Sequence, residues 1–318
     1  MSPRRVIGID TGGTKLLGGV VDEDLAVRHR VHRVLHGLER QALLDAMVEA
    51  VEEAREAAPD AAAVGFGIPS LVEYETGASM FSVHLPLDGV PFRALMEERL
   101  GMPVFVDNDS NLAALAEHRA GAAQGARHAL MLTLGTGIGG GIILDGRLQR
   151  GSRGGGAELG HVVVDLDGPP CQGDCPGRGC LEVMASGTAI GREGAAAAAR
   201  SPDSALAERA RDGREITGPL VTELAHDGDA AARDVLELIG TRLGVGITSL
   251  VNAFDPEVVV IGGGAVAGGE LLLGPARAAV AERALPPNRE HVQIVAAHFG
   301  DEAGMLGAAV LALEEGRV

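Results

Sequence analysis

The sequence predicts an α/β protein of two domains, and three observations carry the prediction. Short β-branched runs alternate with stretches of helical periodicity. A strand–Gly turn–strand unit occurs near the start, over Val6–Val21, and again over His128–Leu144. At 318 residues the chain is long for a single core.

The elements follow in order. Val6–Asp10 reads as a buried strand, Thr11–Lys15 as a turn and Leu16–Val21 as a second strand, with alternation over Ala26–Leu35 giving a third, antiparallel one. Arg40–Ala57 has helical spacing, with Leu43, Leu44, Met47, Val48 and Val51 on one face. Ala62–Ile68 is a strand, and Pro91–Leu100 a helix with proline at its start. Val104–Asp107 is a strand running into Asn108 and a helix over Ser110–Ala120. The pattern restarts with a strand at His128–Leu134, a Gly-rich turn at Gly135–Gly141 and a strand at Ile142–Leu144. Helices are then expected at Gly187–Arg200, Ser204–Arg211, Gly218–His226 and Asp229–Phe254. Val258–Ile261 is a strand leading to Gly262-Gly263-Gly264, followed by a helix at Gly269–Ala284, a strand at Val292–Ala296 and a final helix at Glu302–Glu315. Ligands of α/β sheets sit where such turns converge at strand ends, so a cleft between the two lobes is expected.

Composition narrows the function. A net charge of −17 disfavours nucleic acid and acidic membranes as partners. There is no run of apolar residues long enough to span a bilayer, and Met1-Ser2-Pro3-Arg4-Arg5 lacks a signal-peptide core. With no Trp, one Tyr and six Phe, the core must rest on aliphatic side chains. The 47 glycines cluster in short runs, which points to functional turns. Three cysteines at metal-ligand spacing fit a reducing cytoplasm better than a disulfide scaffold.

All three cysteines lie in the Gly/Pro-rich loop Cys171–Cys180, just after the turn Glu158-Leu159-Gly160-His161. Cys171, Cys175 and Cys180 with His161 make up one tetrahedral Cys3His zinc site. Glu158 and Glu182 flank it and would accept hydrogen bonds from substrate hydroxyls, as would the second nitrogen of His161; the bland alternative is that they are supporting or surface groups. Asp10-Thr11-Gly12-Gly13-Thr14-Lys15 ends a strand, so its backbone amides are available to an anion and Asp10 to Mg²⁺ on phosphates. The motif is not a Walker A loop, and a plain hairpin is the alternative. Leu134–Gly141 is a second such turn; a strand follows it, which removes the dinucleotide-binding reading. In Asp107-Asn108-Asp109-Ser110-Asn111, Asp109 would take a proton from an attacking hydroxyl while Asn108 binds neighbouring hydroxyls. The alternative is that Asp109 or Ser110 only caps the next helix.

Together these motifs resemble the ROK family of repressors and sugar kinases, most closely its bacterial glucokinase branch, over nearly the whole chain. Asn252–Glu257 leading to Ile261-Gly262-Gly263-Gly264 completes the set. The resemblance implies an actin-like (ribonuclease H-like) ATPase fold: a small α/β domain over 1–121, completed by the helix at 300–318, and a large α/β domain over 122–299 carrying the zinc loop. It implies an ATP- and Mg²⁺-dependent hexokinase-type enzyme that phosphorylates the 6-hydroxyl of glucose with Asp109 as base. Asn108, Glu158, His161 and Glu182 would hold other hydroxyls. Gly12, Gly13, Thr14, Lys15, Thr136 and Gly137 would border the phosphates, and Gly263 and Gly264 the adenosine. Domain closure would exclude water, and the zinc loop would bear on sugar affinity more than on ATP affinity. A cytoplasmic homodimer or homotetramer is expected.

The alternative substrates are an N-acetylated hexosamine (N-acetylglucosamine or N-acetylmannosamine), mannose or fructose. A sugar-responsive repressor is a further alternative, disfavoured because the first turn begins at Val6 and leaves no room for a helix-turn-helix before it. Three departures from the family pattern stand out. The first thiol falls at Cys171, with Gly173 in its usual place, so the loop must bulge. Pro69-Ser70 replaces the frequent Pro-Gly, and His84 and Leu87 stand where an Asn near a Trp is common. The last two regions bear on which sugar is used.

Overall fold

The computed structural model describes residues 4–82 and 85–316, so His84 lies outside the described residues. In chain order its elements are β1 (Arg5–Thr11), β2 (Lys15–Asp22), β3 (Val27–Val34), α1 (Arg40–Ala57), β4 (Val64–Ile68), β5 (Leu71–Glu73), β6 (Ala78–Phe81), α2 (Phe92–Leu100), β7 (Val104–Asn108) and α3 (Asp109–Ala120). Then come β8 (Ala129–Leu134), β9 (Ile138–Leu144), β10 (Arg147–Leu148), α4 (Leu181–Ala185), α5 (Gly187–Arg200), α6 (Ala205–Arg211), α7 (Gly218–His226) and α8 (Ala230–Phe254). The chain ends with β11 (Val258–Gly262), α9 (Glu270–Arg283), α10 (Pro286–His291), β12 (Gln293–Ala296) and α11 (Ala303–Glu315).

The chain divides into two units: Met1–Gly125 with Gly141–Ala157 and His298–Val318, and Ala126–Gly140 with Glu158–Ala297. The segment 141–157, expected with the second domain, therefore groups with the first. Its residues pack there. A Cβ on Gly141 would come within 2.4 Å of the Ala114 Cβ on α3, and one on Gly154 within 1.8 Å of the Val72 carbonyl oxygen.

The first sheet has the order β3-β2-β1-β4-β7, with β1–β2–β3 antiparallel and β1–β4–β7 parallel. Central β1 is buried on both faces, as a near-continuous apolar strand requires. Ile7 and Ile9 join Leu43, Met47, Phe66 and Phe92 on one side, where the two rings meet edge to face with centroids 5.3 Å apart. Val6 joins Met305, Leu306 and Ala309 of α11 on the other. Helix α11 lies close because Gly8 and Gly65 carry no side chain; a Cβ there would meet the Met305 and Ala308 carbonyl oxygens at 2.2 and 1.9 Å.

The second sheet repeats the order of the first: β10-β9-β8-β11-β12, with β8, β11 and β12 parallel. This is the two-fold echo seen in the sequence. The Gly-rich turn is shorter than expected. Gly139, Gly140 and Gly141 are already strand residues of β9, leaving Gly135–Gly137 as the turn. Propensity disfavours glycine in strands, but close packing against α3 requires it at Gly141. The β5–β6 hairpin, β10, α4 and α10 are short elements that sequence periodicity did not mark. Among the described residues no helix is long and apolar enough to cross a membrane.

Candidate active site and metal centre

In the first unit the parallel register brings the C-terminal ends of β1, β4 and β7 level, pairing Asp10 with Gly67 and Gly67 with Asp107. Gly67 leaves a gap between the acidic strand ends. A Cβ there would lie 3.2 Å from Asp10 Oδ1 and 3.5 Å from the Asp109 Cα. Gly304 closes Asp10 from the other side, where a Cβ would come within 2.4 Å of its Cγ. Burial first, then the charge of Asp109, pushes the Asp10 carboxyl up to about 7, against the opposing pull of Lys15. The turn that follows is a tight hairpin: the Gly12 N–H donates to the Lys15 carbonyl at 2.8 Å, and Gly13, Thr14 and Lys15 are exposed. Lys15 Nζ lies 3.0 Å from Asp301.

The cap of α3 is Asn108, not Asp109 or Ser110. Its Oδ1 accepts from the N–H groups of Ser110 at 2.9 Å and Asn111 at 3.1 Å. Its Nδ2 donates to the Ser70 carbonyl at 3.3 Å. Asp109 is thus the first helical residue, and its Oδ1 accepts from the Ser110 N–H at 2.8 Å. The Ser70 hydroxyl is engaged locally, 2.5 Å from Ser79 Oγ and donating to the Phe81 carbonyl at 2.8 Å. Leu87 is fully buried in the core.

Behind this edge stands a network that sequence reasoning missed. Buried Asp107 accepts from the Asn108 N–H at 2.8 Å, Asn111 Nδ2 at 3.0 Å and Arg150 Nε at 2.5 Å. The Arg150 guanidinium stacks 3.8 Å above the Tyr74 ring, and the Tyr74 hydroxyl donates to Glu315 at 2.5 Å. No sequence signal links Arg150 to Asp107, since the pair is set by tertiary packing alone.

In the second unit β8 and β11 run parallel, pairing Gly262 with Thr133. Two glycine turns therefore emerge side by side. Gly263, at φ +80°, packs so closely that a Cβ would lie 2.4 Å from the Leu134 carbonyl oxygen. Gly264 is exposed beside it. The Gly135–Gly137 turn is gripped from several sides. The Gly187 N–H donates to the Gly135 carbonyl at 2.8 Å, and the Thr136 carbonyl accepts from Thr188 Oγ1 at 2.8 Å and Gln172 Nε2 at 3.0 Å. Glu182 Oε2 accepts from the Ile138 N–H at 2.9 Å.

The chain enters the His161 turn through Ala157, whose φ of +67° is unusual for a residue with a Cβ. Gly160 lets that turn back onto β9; a Cβ there would meet the Ile138 carbonyl oxygen at 2.1 Å. His161 presents its two nitrogens to different partners. Nδ1 lies 3.7 Å from Cys171 Sγ, and Nε2 lies 3.7 Å from Glu158 Oε2. Although the Glu158 side chain is 46% exposed, the surrounding protein raises its pKa; His161 lowers it and Glu182 raises it further.

His161, Cys171, Cys175 and Cys180 converge, with their ligand atoms all within 4.8 Å of one another. Left-handed glycines make the bulge that delivers Cys171: Gly173 has φ +60° and Gly179 φ +58°. The donor set fits zinc, which takes three thiolates and one imidazole in tetrahedral sites. Burial, and then the neighbouring thiols of Cys180 and Cys175, pushes the Cys171 thiol up to about 12. A Cys171 thiol so held suits a divalent cation that compensates the charge of its thiolate.

The sequence model of the ROK family matches residues 6–315. The chain belongs to the ROK family. Within that family it is 36% identical to the glucokinase of Streptomyces coelicolor, over 97% of both chains. A putative xylose repressor of Caldicellulosiruptor sp. is 30% identical, and this chain covers 78% of it. The crystal structure of a ROK family glucokinase from Streptomyces griseus in complex with glucose and AMPPNP superposes with a TM-score of 0.87 at 36% identity, covering 98% of this chain and 99% of that one. The ROK relationship fixes the fold as the actin-like, ribonuclease H-like one, with both sheets in the same strand order.

Proposed function

We propose that the protein is an ATP-dependent sugar kinase that transfers the γ-phosphoryl group of ATP to the 6-hydroxyl of glucose. The observation that carries this reading is Asp109, the first residue of α3 directly after β7 and beside Asp10, in a chain 36% identical to a glucokinase over 97% of its length. Phosphoryl transfer asks a protein mainly for positioning and charge stabilisation. Asp109 would take the proton of the attacking hydroxyl as the new P–O bond forms. Asn108 would donate to a neighbouring hydroxyl through Nδ2, its Oδ1 being held by the helix cap. Glu158, His161 and Glu182 would orient further hydroxyls.

The backbone at Gly12, the amides of Gly13 and Thr14 and the Lys15 side chain would border the phosphates, as would the amides of Thr136 and Gly137. Gly263 and Gly264 would border the adenosine. Mg²⁺ bound at Asp10 would neutralise phosphate charge; a buried carboxyl with a pKa of about 7 readily exchanges its proton for such a cation. Zinc at His161, Cys171, Cys175 and Cys180 would fix the His161 ring. The glucose reading is supported by the glucokinase relative at 36% identity and by the glucose-bound ROK glucokinase structure that superposes on this chain.

An assay of ADP release over glucose, mannose, N-acetylglucosamine, N-acetylmannosamine and fructose tests the reading. Glucose should give the highest kcat/KM. A clear preference for an N-acetylated sugar would overturn the glucose assignment, and no ADP release with any sugar would overturn the kinase.

A further inference from the structure

The cysteine loop and the Thr136-Gly137-Ile138 turn are joined by two side chains that bond the two peptides flanking Gly137. Glu182, two residues beyond Cys180, accepts the Ile138 N–H at 2.9 Å through Oε2, while its Oε1 lies 3.9 Å from Cys171 Sγ. Gln172, the residue after Cys171, donates to the Thr136 carbonyl at 3.0 Å. Gly137 lies between them with no room for a side chain. A Cβ there would come within 2.2 Å of Glu182 Oε2 and 3.5 Å of Gln172 Nε2.

We propose that Gln172 and Glu182 form a latch through which the metal loop sets the shape of the 136–138 turn, making Gln172 a positioning residue for bound nucleotide. The inference rests on the reading of this turn as a phosphate contact. Its physical basis is the anchoring of both side chains. A metal holding Cys171 and Cys180 fixes the backbone next to Gln172 and two residues before Glu182. Without it, the Cys171 end of the loop relies on backbone bonds such as Cys171 N–H to Gly177 O at 2.9 Å and Gly179 N–H to Pro169 O at 2.9 Å. Gly135 and Thr136 are exposed, and besides the latch the turn is held by the Gly187 N–H and the Thr188 hydroxyl, not by core packing. The early position of the first thiol is what places a glutamine here, directly after a ligand and within reach of the turn.

Gln172 is the residue to change, because Thr188 keeps the Thr136 carbonyl satisfied when the amide is removed. Titration calorimetry with Mg²⁺–AMPPNP should show Gln172→Ala binding about three- to tenfold more weakly than wild type, the value of one neutral hydrogen bond. Zinc content and glucose affinity should be unchanged. Gln172→Glu, which sets a carboxylate against the carbonyl, should bind more weakly still. Independently, stripping zinc from the wild-type protein should speed hydrogen exchange at the Ile138 amide, with β1 amides reporting any global unfolding. Unchanged AMPPNP affinity in both variants, or Ile138 exchange indifferent to zinc, would overturn the latch. A wild-type protein that binds glucose and zinc but no AMPPNP would instead remove the reading of the turn, and the latch with it.

Discussion

Asp10 at the end of β1 and Asp109 at the start of α3 approach one another across Gly67, whose missing side chain leaves a gap between them. Their mutual repulsion, added to burial, holds the Asp10 carboxyl near 7. A carboxyl whose folded pKa is raised stabilises the fold while it is protonated. That contribution is complete below the ordinary value of 3.8 and is lost as pH rises through about 7. In protein free of Mg²⁺ and nucleotide, the melting temperature of wild type should therefore fall relative to Asp10→Asn between those limits. The difference corresponds to at most about 4 kcal/mol. Parallel pH profiles of the two proteins would contradict the raised pKa. Saturating Mg²⁺ should narrow the gap if Asp10 is its ligand.

Asp109→Asn should leave the helix intact, because Asn108 and not Asp109 caps α3. Sugar binding should persist while kcat falls by about 10² to 10⁴, the usual effect of removing a general base. Calorimetry with glucose and single-turnover kinetics separate the two. Turnover near the wild-type level would show that Asp109 is not the base.

Protein purified without added metal should carry about one zinc per chain. Cys171→Ser, Cys175→Ser and Cys180→Ser should each lower zinc content and melting temperature. Cys171 is the informative case, since it sits early for the family. Full zinc occupancy in Cys171→Ser would remove it from the ligand set.

Glu182→Gln should raise the KM for ATP as well as for the sugar. The resemblance implies a larger effect on the sugar than on ATP, but the carboxylate also holds the Ile138 N–H. Losing a charged acceptor typically costs roughly 1.5–3 kcal/mol, or about ten- to hundredfold in affinity. Steady-state kinetics varying one substrate at a time decides the matter. A change confined to the sugar KM would make the Ile138 bond incidental.

Arg150→Met should destabilise the protein by about 3–5 kcal/mol in urea unfolding, because it strands Asp107 as a buried, unpaired charge. Arg150→Met combined with Asp107→Asn should recover part of the loss. Equal stability of the single and double variants would indicate that Arg150 acts through its stacking on Tyr74 instead.

The sequence by itself determined most backbone elements and which four side chains could converge as metal donors. Helix α1 begins and ends where its apolar periodicity does, and three cysteines in a Gly/Pro loop with one upstream histidine leave few other arrangements. Such features are local: periodicity fixes the element, and glycine fixes the turn. Only the tertiary structure decided the destinations of side chains. Nothing in Asp107-Asn108-Asp109 says which residue caps the helix, that Arg150 neutralises the first, or that Gly67 opens the space beside the third. Glycines 139–141 read as a turn until α3 packs against the strand they form. The reason is common to all of these. Strand register, helix packing and hydrogen-bond partners are set by contacts between residues far apart in the chain, and those contacts override local propensity wherever burial is at stake.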